Sequence, residues 1–132
     1  MFRIKFCREI VLKLLFQADI MGIDNCDSAL MLEEGKPFFK GLTDDESNFV
    51  KKTLDTFWDN KLEIDNKISK NLIGWKIERL SLVDRNLIRM GICESYENSQ
   101  KAVIIDDIIR IAKKYGEEDS YKIINAVLDK VF

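Results

Sequence analysis

A chain of 132 residues, 46% hydrophobic and 33% charged, can bury one core, or a core shared by two small subdomains, and remain in solution. Its 21 basic and 23 acidic residues leave a net charge of −2, which excludes a protein basic throughout but allows local patches of either sign. The absence of histidine removes Ser–His and Cys–His nucleophiles, histidine metal sites and the commonest general base at neutral pH.

The N-terminal stretch MFRIKFCREIVLKLLF mixes charged with apolar residues, unlike a cleavable signal with its clean apolar centre. Apolar runs elsewhere fall far short of a membrane span, so a cytoplasmic protein is expected. From residue 5 to 21, Cys7, Val11, Leu14, Ala18 and Met21 recur at the steps of one helix face. Leu12, Phe16 and Ile20 form a second apolar strip on the same segment. A helix this apolar must be covered on more than one side, by core, a second helix or a partner protein.

Residues 22–43 hold the only proline and three of the six glycines, and read as loop with a short helix near Ser28–Glu34. Asp44, Asp45 and Glu46 supply the acidic first turn of a long helical stretch. Its stripe of Val50, Leu54, Phe57, Ile64, Ile68 and Leu72 runs down to Gly74, with a break near Asn60. Trp58 and Trp75, on apolar faces, are expected in the core.

Ser81 is a good N-cap for the segment SLVDRNLIRMGICESYE, where Leu87, Ile88, Gly91 and Ile92 share a face and Gly91 permits a close helix crossing. Arg85 and Arg89 lie four apart on another side. A further helix from about Ala102 to Tyr115 should stop at Gly116 as its C′ residue, followed by a last helix with Ile124, Val127, Leu128 and Val131 inward. No stretch alternates apolar and polar residues long enough for a strand. The fold class is all-α, with about six or seven helices.

Cys7, Cys26 and Cys93 are odd in number, far apart and without CxxC spacing, so they read as reduced, mostly buried thiols rather than disulfides or zinc ligands. Asp106 and Asp107 point about 100° apart on a helix and make a poor acid/base pair. No catalytic residue, metal ligand or cofactor is expected.

The outer faces of the last two helices carry more information. Asp106, Arg110, Lys113, Lys114 and Glu117 share the solvent side of one, and Lys122, Asn125 and Asp129 that of the next. Tyr115 and Tyr121 flank the turn between them. Lysines can meet phosphates, rings can stack on bases, and Asp or Asn can take base-edge hydrogen bonds, which suits single-stranded nucleic acid. An ordinary solvated helix face laced with i,i+4 pairs explains the same residues, and on the residues alone it is the plainer reading. Arg3, Lys5 and Arg8 form a basic N-terminal strip that reads either as a solubilising end or as a phosphate-contacting arm.

Three stretches, CREIVLKLLFQAD, GWKIERLSLVDRNLIRMGICE and IIDDIIRIAKKYGEEDSYKIINAVLDK, resemble the NusB family of bacterial transcription antitermination factors. The resemblance covers nearly the whole chain, from Arg3 to Val131, and implies a stand-alone member without a catalytic domain. It implies two small helical bundles, here about residues 1–60 and 61–132, forming one RNA-binding domain. Family members bind NusE, a small-subunit ribosomal protein, and the pair binds single-stranded boxA RNA in ribosomal RNA leaders. The complex helps RNA polymerase read through terminators, and no chemistry is catalysed.

By the same resemblance, Tyr115 and Asp119 match positions that contact RNA, and Arg3, Lys5 and Arg8 match the family's arginine-rich end. Lys113, Lys114 and Lys122 complete the implied RNA-binding set. Phe16, Glu78 and Asp84 match positions that face NusE. Departures are present: Ile4 and Phe6 occupy places often basic, Ile123 stands where an aromatic ring is common, Ala126 stands for a glycine, and Asp106-Asp107 stands for Asn-Glu. Some family members form homodimers through the surface NusE would use. The alternative expectation is therefore a protein–protein module or homodimer with weak or lost RNA binding.

Overall fold

The structure is a computed structural model that describes residues 2–33, 36–74 and 76–132. Among these residues it is all helical and divides into two compact units, Met1–Asp59 and Asn60–Phe132. No helix among them is long and apolar enough to cross a membrane.

The first unit is built on α1 (Ile4–Met21), α2 (Cys26–Met31), α3 (Pro37–Lys40) and α4 (Asp44–Asp59), with α1, α2 and α4 packed on one another. Cys7, Val11, Leu14 and Ala18 are buried as the spacing predicts, and so are Leu12 and Leu15. Met21 departs from the expected face: it is 61% exposed, because α1 ends there. Gly22 turns left-handed, and its N–H and that of Ile23 both return to the Ala18 carbonyl. α3 lies within the segment read as loop. It is a single turn, too short to show a periodic pattern. The expected helix near Ser28 is α2, capped by the Asn25 side chain accepting from the Ser28 N–H at 2.8 Å; Glu34 lies outside the described residues.

α4 starts with a reciprocal cap. The Glu46 N–H donates to Thr43 Oγ1 at 3.2 Å, and the Thr43 N–H donates to Glu46 Oε1 at 2.9 Å. Glu46 is completely buried, and Arg3 holds its carboxylate from 43 residues away with its backbone N–H (2.9 Å), Nε (2.8 Å) and Nη2 (2.9 Å). These donors keep the carboxyl well below the usual carboxylate range, the Arg3 side chain first. Arg3 also covers the Phe6 ring at 4.7 Å, and Phe2 packs edge-on against Phe49 at 5.7 Å. Phe2 and Arg3 are thus fastened to the first turns of α4. Trp58 is half-buried rather than core, edge-on to the buried Phe57, and Trp75 lies outside the described residues.

The second unit holds α5 (Lys61–Lys70), a 3-10 turn (Ile77–Arg79), α6 (Leu82–Ser95), α7 (Lys101–Tyr115) and α8 (Ser120–Val131). The break expected near Asn60 separates α4 from α5, with Asn60 outside helical geometry at φ −124° and ψ 18°. α6 is central, packing on α5, α7 and α8. Ser81 caps it as expected, its Oγ accepting from the Asp84 N–H at 3.1 Å. Leu87, Ile88, Gly91 and Ile92 are buried, as are Ile104, Ile108 and Ile111 of α7 and Ile124 and Leu128 of α8, with Gly91 facing Leu128 and Ile108. Arg89 is buried too: its Nε and Nη2 clasp both Asp65 oxygens at 2.9 Å, and Nη1 donates to Asn86 Oδ1 at 3.0 Å. Fully buried apolar side chains of this size contribute ~1.5–3 kcal/mol each, so this isoleucine- and leucine-rich layer fixes α7 and α8 and hence the turn between them.

Candidate nucleic-acid interface

The α7–α8 turn is short because of one close approach. A Cβ on Gly116 would lie 2.6 Å from Ser120 Oγ and 2.8 Å from the Ala112 carbonyl oxygen. Gly116 was expected as a C′ residue, which implies a left-handed backbone, but it is extended at φ −87° and ψ −179°. Glycine is required here by the close approach of Ser120 and not by its dihedral. Ser120 is buried and its Oγ accepts from the Glu117 N–H at 2.9 Å, which folds Glu117–Asp119 outward.

Around this clasp the sequence-predicted cations and rings come together. Lys113, Lys114 and Tyr115 end α7, while Asp119 and Lys122 open α8, and all five are exposed. Lys114 Nζ lies 5.0 Å from the Tyr115 ring centre. Lys113 Nζ and Lys122 Nζ lie 5.4 Å and 5.9 Å from the Tyr121 ring centre. Asp119 does not cap α8 with its side chain; it pairs with Lys122 at 3.3 Å. On the outer side of α7, Arg110 lies 3.8 Å from Asp106.

None of these interactions holds the lysines firmly. Exposed cation–π pairs are worth ~0.5–1 kcal/mol and exposed ion pairs ~0–1 kcal/mol. Lysines at the α7 C-terminus gain a further ~0.3–1 kcal/mol from the helix dipole wherever their ammonium groups swing. The Lys113 and Lys122 ammonium groups can therefore move from ring or carboxylate to a phosphate at little cost. Both rings reach solvent, Tyr115 being 47% and Tyr121 37% exposed.

The N-terminal strip is distributed differently. Lys5 is exposed, Arg3 is engaged by Glu46, and Arg8 is buried with 4% exposure. Sequence reasoning missed the Arg3 pairing, although Thr43-Asp44-Asp45-Glu46 carries the spacing of a capping box.

Of the residues matched to a protein partner, Phe16 is half-buried on α1 beside the exposed Ile20, Glu78 is exposed on the 3-10 turn, and Asp84 is buried near the start of α6. Among the described residues Asp84 Oδ1 has no hydrogen-bond partner, and a buried acceptor left so costs ~1–3 kcal/mol until a donor reaches it.

The three cysteines are free and buried. Burial pushes the thiols up, Cys7 to about 11 and Cys26 and Cys93 to about 12, so they stay protonated and weakly nucleophilic. Cys26 lines an open cleft of about 360 Å³ with Asp27, Leu30, Met31, Lys51 and Asp55, and its thiol donates to the Lys51 carbonyl at 3.7 Å.

Comparison with known proteins supplies the family. The NusB family model matches residues 7–132. A protein named Transcription antitermination protein NusB from Bacillus mycoides (strain KBAB4) is 37% identical over 128 residues, 94% of this chain and 92% of the relative. The fold is similar to that of T. maritima NusB, with a TM-score of 0.86 at 30% identity over 99% of this chain and 92% of that one. A chain in a structure described as a plectonemic RNA supercoil gives a TM-score of 0.85 at 30% identity, over 99% of this chain and 94% of that one.

Proposed function

The chain belongs to the NusB family, whose relatives here are transcription antitermination proteins, and on that premise we propose that it binds single-stranded boxA-type leader RNA together with NusE. The complex promotes read-through by RNA polymerase, chiefly in ribosomal RNA operons, and acts in the cytoplasm. The chain contributes a binding surface and no catalysis.

The observation that carries this reading is the α7–α8 turn. The exposed Tyr115 at the end of α7 has the Lys114 ammonium over its ring, the exposed Tyr121 has those of Lys113 and Lys122, and the exposed Asp119 pairs with Lys122 at the start of α8. Lys113, Lys114 and Lys122 neutralise phosphates, Tyr115 stacks on a base, and Asp119 accepts a base-edge hydrogen bond. Lys5, with Arg3 and Arg8 as the remaining members of the basic strip, is the second set of candidate RNA-binding residues. A chain seen in a structure described as an RNA supercoil is consistent with RNA as the ligand of the family.

For NusE, the candidate residues are Phe16, Glu78 and Asp84. Phe16 and Ile20 offer apolar area, and Asp84 Oδ1, without a hydrogen-bond partner among the described residues, offers an acceptor for a partner's N–H.

A second reading is favoured by one observation: Arg3 is committed to Glu46 and Arg8 is buried, so the N-terminal strip presents less charge to a ligand than its sequence promises. On that reading the chain is a protein–protein module or homodimer whose RNA binding is weak. Titrating labelled boxA RNA with the chain, with and without NusE, separates the two. Tight, NusE-enhanced binding supports antitermination through RNA recognition; no binding in either case supports the module.

A further inference from the structure

Tyr121 is the second residue of α8, and the residues on either side of its position in the helix have settled roles: Ser120 is buried in the turn clasp and Ile124 is in the core. Tyr121 instead leaves 37% of its surface in water, although a ring of that size gains by burial. It is bordered by two ammonium groups from two different helices, Lys113 of α7 at 5.4 Å and Lys122 of α8 at 5.9 Å. One helical turn further along the same side lies the exposed Asn125, whose amide can both donate and accept at a base edge.

A ring and two cations, with an amide one helical turn further along, extend on the other side of the Gly116 turn the cation–ring pairing of Lys114 with Tyr115. We propose that Tyr121 is a second stacking platform, so that the turn takes two unpaired nucleotides, one on Tyr115 and one on Tyr121. Lys113 and Lys122 meet the phosphates of the nucleotide on Tyr121, and Asn125 reads its base edge. This rests on the RNA-binding reading above and adds residues that reading does not need.

A solvent-facing tyrosine that only shields lysine side chains would look similar without RNA, and the test is chosen to separate the two. The full chain with NusE is titrated by fluorescence anisotropy against labelled single-stranded boxA RNA, and against the same RNA carrying one abasic nucleotide at each position in turn. Tyr121→Ala should weaken binding by about tenfold, the scale of a single base–aromatic stack, without changing the salt dependence. Tyr121→Phe should bind as the wild type does, and Tyr121→Leu, which keeps apolar bulk on α8, should bind as weakly as Tyr121→Ala. One abasic position that weakens wild-type binding should have no further effect on Tyr121→Ala, and it should differ from the position silenced by Tyr115→Ala. Wild-type affinity in Tyr121→Ala, while Tyr115→Ala and the lysine variants lose affinity, would overturn the second platform and leave the RNA reading standing. An even loss at every abasic position would also overturn it, as a structural effect. If no variant at the turn changes binding, both readings fall.

Discussion

Gly91 in α6 and Leu128 in α8 approach so closely that a Cβ on Gly91 would lie 3.1 Å from both Leu128 methyl carbons, with Ile108 of α7 at 3.6 Å. Three helices of the second unit meet at this point. The inner side of α8 is fixed by Leu128 here and by Ile124 one turn earlier, which leaves Tyr121, Lys122 and Asn125 on its outer side. The apolar crossing and the candidate RNA face are two sides of the same helix.

Leu128→Ala should lower stability by ~2–5 kcal/mol, the range for emptying a fully buried leucine site. Gly91→Ala should also destabilise, because overpacking by ~1–3 kcal/mol outweighs the ~1 kcal/mol that alanine gains over glycine within a helix. The two changes should be less damaging together than their sum, since the added methyl enters space the leucine vacates. Urea denaturation of the two single variants and the double variant checks this; strict additivity would show that α6 and α8 do not cross there.

The Arg3–Glu46 clasp predicts an acid-sensitive contribution from the first unit. Glu46 in the fold titrates well below its ordinary value of 4.5, so its stabilisation is complete above that pH and is lost as pH falls toward its depressed folded value. The melting-temperature gap between wild type and Glu46→Gln should be full near pH ~6 and shrink below pH ~4. Arg3→Ala should also destabilise at neutral pH, because it removes two side-chain donors and leaves the buried Glu46 carboxylate to backbone N–H groups alone. A gap that is constant with pH would contradict the clasp.

Phe16→Ala should weaken NusE binding at least several-fold, because truncating an interface aromatic commonly costs ~2 kcal/mol or more. The side chain is only half-buried, so circular dichroism should stay unchanged. Unaltered NusE affinity in the folded variant would remove this surface from the partner interface.

The helices, their order and most of the core were legible because burial on α1, α4, α7 and α8 follows the 3.6-residue period, whereas the central α6 is buried without a break from Asn86 to Cys93. Cys7, Val50, Ile88, Ile124 and Leu128 are buried as their spacing predicts. The misses have a different origin. Glu46 reads as a helix-start charge in the sequence, and its burial depends on Arg3, which no local pattern connects to it. Arg89 reads only as lying on another side of its helix than the apolar face, and its burial depends on Asp65 across the packing of α5 on α6. Met21 follows the period but falls at a helix end, where the period no longer decides exposure. At the turn, the rings and cations were legible in the sequence but their pairing was not. Lys113 reaches Tyr121 because of how α7 and α8 pack, a tertiary fact.

Charge and stacking acting together at the α7–α8 turn are central to RNA binding as proposed. The measurement that tests this most directly is the salt dependence of labelled boxA RNA binding to the complex with NusE, for wild type and variants. Lys114→Ala with Lys122→Ala should lower affinity and flatten the logarithmic salt slope by ~0.7 for each phosphate no longer neutralised, while Tyr115→Ala should lower affinity with little change of slope. Binding curves that all three substitutions leave in place, at every salt concentration, would contradict RNA binding at this site and reduce the turn to a connection between two helices.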